Sequence, residues 1–141
     1  MKILMSRRNN LTVENFQNFD IDDATESELW SILHSENRGK VAFVKNVTNE
    51  MLEYLMDDED SRIRCCVAIS AETPEHLLEI LAEDPSSNVR SCAVRNPNIS
   101  LATIKKLCQD PDKGVQYAAC AALGTYFAVH PDVLQKELHG Q

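Results

Sequence analysis

The stretch "DPSSNVRSCAVRNP", Asp84–Pro97, decides the fold, because the chain contains it more than once. Twenty-six positions earlier stands "DEDSRIRCCVAISA" from Asp58, and twenty-six later "DPDKGVQYAACAAL" from Asp110. The matched columns include Asp58, Asp84, Asp110; Ile63, Val89, Val115; Arg64, Arg90, Gln116; and Val67, Ala93, Ala119. Self-similarity at a fixed period is the signature of a repeat architecture, in which each unit buries its apolar face against the next.

Working outward, a first copy emerges when a two-residue deletion is allowed in its turn. "TESELWSILHSENRGKVAFVKN" from Thr25 runs parallel to "TPEHLLEILAEDPSSNVRSCAVRN" from Thr73, which puts Lys40 in the arginine column, Asn46 with Asn96 and Trp30 with core residue Leu78. A last copy, "HPDVLQKEL" from His130, arrives late because "LGTYFA" intervenes. The units run at about 24–48, 49–74, 75–100 and 101–138.

Each unit reads as two short helices. In the second, Met51, Leu52, Leu55, then Leu77, Leu78, Leu81, then Leu101, Ile104, Leu107 recur at helical spacing. Thr25 with Glu28 forms a capping box, and Thr73 before Pro74 reads as an N-cap followed by a first-turn proline. In the first helix, residues four apart (Ile63 and Val67, Val89 and Ala93, Val115 and Ala119) share the buried face. No alternating apolar strand of the kind a leucine-rich horseshoe needs is present, so the expected class is all-α: a right-handed α-solenoid of about four short helix pairs. Residues 1–23 are expected to cap it, with Leu11, Val13, Phe16 and Phe19 covering the first unit, and Tyr126 and Phe127 closing the other end.

The pattern D-P-x-x-x-V-R-x-x-V-A-x-N-P, followed by an apolar helix ending L-A-x-D, resembles the variant leucine-rich repeat, a HEAT-like unit of a short, often 3₁₀-like, helix and an α-helix. The resemblance is good from Asp58 to Asp110, fair for 24–57 and weak after Leu123. It implies that an acid six positions before an arginine, Asp58 with Arg64 and Asp84 with Arg90, forms a ladder linking adjacent units; Gln116 breaks the pattern. Members of that family can hold an iron–sulfur cluster on cysteines preceding the repeats. Residues 1–23 contain no cysteine, so that function does not carry over and no cofactor is expected.

Five cysteines without CxxC spacing suit reduced thiols in a cytoplasmic protein. Cys66, Cys92 and Cys120 occupy columns of small core residues, and Cys65 a more exposed one. The histidines His34, His76, His130 and His139 have no ligand spacing, so no metal is expected. No nucleophile motif, phosphate-binding glycine loop or dinucleotide fingerprint occurs, and the chain reads as a non-enzyme. No apolar run is long enough to cross a membrane.

The net charge of −8 is uneven: residues 11–84 carry 18 acids and 5 bases, residues 85–141 carry 4 acids and 6 bases. The acidic part repels nucleic acid and attracts a basic protein. "DDED" at 57–60 holds more acids than helix capping needs. Tyr54 and Ile80 stand beside acids in columns the apolar stripe leaves free, which suits an apolar anchor ringed by charge. The expected binding face is therefore Glu53, Tyr54, Asp57, Asp58, Glu59, Asp60, Glu79, Ile80 and Glu83, on a monomer that binds a basic partner protein. A narrower version is an immunity or inhibitor protein that neutralises a basic toxin such as a nuclease. The alternative class is a HEAT-like DNA-binding or DNA-repair protein, whose basic wall this chain replaces with acids.

Overall fold

The computed structural model describes residues 20–140, and every regular element among them is helical. Apart from the 3₁₀ turn Ile21–Asp23, the expected N-terminal cap, with Leu11, Val13, Phe16 and Phe19, lies outside the described residues. The chain divides into two compact units, at 1–73 and 74–141.

In the first unit, α1 (Glu26–Leu33) is followed by a 3₁₀ helix (Arg38–Phe43), α2 (Asn49–Met56) and α3 (Ser61–Ile69). The capping box forms: Thr25 Oγ1 accepts from the Glu28 N–H at 3.3 Å and Glu28 Oε2 accepts from the Thr25 N–H at 3.2 Å. Thr48 caps α2 by accepting the Met51 N–H, and Asp60 caps α3 by accepting the Arg62 N–H. Leu29, Ile32 and Leu33 of α1, Val41 and Ala42 of the 3₁₀ helix, Met51, Leu52 and Leu55 of α2, and Val67 and Ala68 of α3 make one core. Ile63 is only half-buried. The 3₁₀ helix packs closely on α3 at Gly39, where a Cβ would stand 3.1 Å from Cys66 Sγ and 3.3 Å from Ile63 Cδ1.

Several expectations for this unit are corrected. The arginine column of the first copy is Arg38, a full 26 positions before Arg64, whereas Lys40 and Asn46 are exposed. The deletion in the turn between α1 and the 3₁₀ helix is three residues and not two, as the caps Thr25 and Thr48 stand only 23 apart. That shift moves Trp30 by one residue, about 100° around the helix: Leu29 takes the core position and Trp30 is half-buried. Thr73 does not cap the next helix; it is buried, and its hydroxyl donates to the Val67 carbonyl at 2.6 Å.

The second unit holds α4 (Glu75–Leu81, with Pro74 as its N-cap), α5 (Ser87–Val94), α6 (Leu101–Leu107), α7 (Lys113–Val129) and α8 (Pro131–His139). Its core joins Leu77, Leu78 and Leu81 to Val89, Ala93, Val94, Ile104, Leu107, Val115, Ala118 and Ala119. "LGTYFA" is not a separate insertion but continues α7, a 17-residue helix where α5 has 8. Tyr126 and Phe127 are half-buried on it with rings 6.0 Å apart, and α8 buries none of its residues. Cys120 is exposed rather than core, and Cys66 and Cys92 are half-buried.

The recurrent aspartate has a physical reason. Asp58, Asp84 and Asp110 each accept, through Oδ1, the N–H two residues on, at 2.9, 2.8 and 2.9 Å. This turn suits a short aspartate or asparagine side chain, and Asn96 makes the same bond to the Asn98 N–H at 2.9 Å.

Candidate functional site

Arg90 uses a different acid from the expected Asp84. Arg64 and Arg90 each donate Nη1, at 2.8 Å, to the backbone carbonyl of the acid six positions before, Asp58 and Asp84. The carboxylate that Arg90 grips is Asp110, twenty positions later, through Nε at 2.9 Å and Nη2 at 3.1 Å. Arg38 grips Asp58 in the same fork, at 2.5 and 3.1 Å. Gln116 keeps only the backbone half of the motif, its Nε2 donating to the Asp110 carbonyl at 2.5 Å.

These pairs set the local charge. The Arg38 hydrogen bonds hold Asp58 below the usual carboxylate range. Burial pushes the Asp110 carboxyl up, yet the hydrogen bonds from Arg90 and the Asp112 N–H, with Arg90's charge, outweigh it and leave the carboxyl depressed. Arg62 does the same for Asp60 at the surface, with Nη2 2.9 Å from Oδ2.

In the first unit an open depression of about 610 Å³ is lined by Arg38, Tyr54, Asp57, Asp58, Glu59 and Asp60. Five of the expected binding residues thus meet around one concavity. The core stripe of α2 uses Met51, Leu52 and Leu55, so Tyr54 falls on the opposite edge and is 45% exposed. Its ring stands edge-on to Trp30, with centroids 6.0 Å apart, and to His34 at 5.7 Å; its hydroxyl lies 3.3 Å from His34 Nδ1. Trp30 belongs to α1 and His34 is its C-cap, so the anchor is braced on one side.

The four acids of "DDED" separate into two roles. Asp58 is engaged by Arg38 and the turn, and Asp60 by the α3 cap and Arg62. Asp57 and Glu59 are exposed, and among the described residues no cation pairs with either carboxylate. Asp57 sits at the C-cap of α2, where the helix dipole disfavours a negative charge. The scaffold thus accounts for two of the four and gains nothing from the others.

Glu53 is exposed on α2 outside the depression. Glu79, Ile80 and Glu83 belong to α4 and its end in the second unit, where Ile80 is 58% exposed and Glu83 is paired with Lys106. Sequence reasoning missed Arg38, Trp30 and His34. An ungapped shift of 26 finds the arginine, and aligning Thr25 with Thr48 puts Trp30 in the column of exposed Glu53. Among the described residues no three His, Cys, Asp or Glu side chains gather as metal ligands, and no described helix is long and apolar enough to cross a membrane.

Compared with protein-family models, curated proteins and solved structures, the chain matches none.

Proposed function

We propose that the protein is a non-enzymatic binding module that holds a basic partner protein at the Tyr54 depression, on a right-handed α-solenoid scaffold of period 26 in the manner of HEAT-like repeats. The observation that carries the reading is the pair of surplus carboxylates, Asp57 and Glu59, beside a braced, exposed Tyr54. A lysine or arginine of the partner fits this set: its aliphatic stem lies on the tyrosine ring and its cation between the carboxylates. Arg38 does not oppose it, because its charge is already matched by Asp58. The solenoid reading is supported by the 26-residue columns and by first helices packing on each other: the 3₁₀ helix on α3, and α5 on α7.

The test is binding of the full chain to a panel of small basic proteins, nucleases among them, at low and moderate ionic strength. Asp57→Lys with Glu59→Lys should weaken the best binder by about tenfold or more, equal to about 1.4 kcal/mol, and added salt should weaken the wild type in the same direction. Binding that ignores both changes overturns the reading. So does a wild-type chain that shifts duplex DNA at physiological salt.

A further inference from the structure

We propose that the second unit carries a separate docking groove along α7, and that its occupant is an amphipathic helix of a partner protein, apolar where it is buried and carrying a carboxylate opposite Arg95. The groove, about 420 Å³, lies between α7 and the turn that follows α5. It exists because α7 runs 17 residues, well beyond the length of α5.

Its shape fits a helix. Tyr117, Ala121, Thr125 and Val129 recur every fourth residue, and all four line the groove. They form one face about 18 Å long at 1.5 Å per residue, some three turns. The middle of that face is small, with Ala121, Ala122 and Thr125 above buried Ala118, so a second helix axis can approach closely. The ends are large and apolar, Tyr117 at 80% and Val129 at 67% exposure, as anchors for an apolar ridge would be.

Its charge fits an acid. Arg95 is exposed, and among the described residues its side chain has no hydrogen bond or ion pair. No carboxylate lines the groove, whose other titratable groups are His130 and the two tyrosines. The other arginine of this unit, Arg90, is satisfied by Asp110. An incoming Asp or Glu would supply the missing half of a forked pair. A second copy docking through the same groove would bring no carboxylate to Arg95, which argues against self-association here.

The test uses a displayed library of short helical peptides with leucines at i, i+4 and i+7 and flanks drawn from Asp, Glu, Lys, Arg and Ser, selected on the full chain. Selected peptides should be enriched in Asp or Glu on one flank, and should shift the amide NMR signals of Ala118, Ala121 and Thr125. Arg95→Glu should weaken an acidic peptide at least about tenfold and improve its lysine twin; Ala121→Arg should abolish both. Both positions are exposed, so circular dichroism should stay that of the wild type. Peptide binding should ignore Asp57→Lys and Glu59→Lys, which keeps this outcome independent of the Tyr54 depression. Failure to select any peptide, enrichment of basic flanks, indifference to Arg95→Glu, or self-association in sedimentation that Ala121→Arg abolishes would each overturn the assignment.

Discussion

Replacing Arg90 with Gln isolates the ion pair from the rest of the motif, because Gln116 shows that a glutamine can keep the backbone contact. The variant should retain the hydrogen bond to the Asp84 carbonyl and lose the fork to Asp110. Both partners are well covered, with side-chain exposures of 15% and 6%. Removing one member of a buried pair costs about 3–5 kcal/mol, and an ordinary charged hydrogen bond contributes about 1.5–3. Arg90 keeps some solvent, so the expected loss is about 2–3 kcal/mol, with a similar loss for Asp110→Asn. The double variant should lose less than the sum by about 1.5 kcal/mol, since the second change removes a charge the first has stranded. In urea, with m about 2 kcal/mol/M, the midpoint of each single variant should fall by roughly 1–1.5 M, read by far-ultraviolet circular dichroism. Acid provides the internal control. Asp110 has a folded-state pKa below its unfolded value, so its contribution is fully present above about pH 4 and is lost as pH falls through the folded value. The gap between wild type and Arg90→Gln should therefore close in acid. A midpoint for Arg90→Gln indistinguishable from wild type, or strictly additive losses in the double variant, would refute the pairing.

Two further outcomes follow from local geometry. Gly39→Ala places a methyl against Cys66 and Ile63 and should destabilise by about 1 kcal/mol or more, while Gly124→Ala, which meets nothing within 4 Å inside α7, should stabilise by about 0.5–1 kcal/mol; thermal melts that rank them the other way would contradict the packing. Burial, and then a hydrogen bond with Cys120, push the Cys108 thiol up, so alkylation at mildly alkaline pH, followed by mass spectrometry, should label exposed Cys120 well before Cys108.

The helices were legible because their signals are local. The capping box of Thr25 with Glu28 and the apolar triplets of α2, α4 and α6 depend on residues within one or two turns, and each marks a helix. Asp58, Asp84 and Asp110 were legible as a column but not as a device: the turn they make is local, whereas the guanidinium that takes a carboxylate comes from twenty residues away. The candidate site was legible as composition. "DDED" and Tyr54 were visible, and the structure separated the structural Asp58 and Asp60 from the surplus Asp57 and Glu59.

What the sequence determined by itself was the helical class and most of the core, since periodic burial is written in residue spacing. Only the tertiary structure decided which acid each arginine holds, that Trp30 braces Tyr54 instead of filling the core, and that "LGTYFA" lengthens α7 and opens a groove beside it. The first two share a reason. A one-residue slip in alignment turns a helical side chain by about 100°, and a fork between distant residues has no local signature, so both are set by how helices pack and not by the order of residues within one.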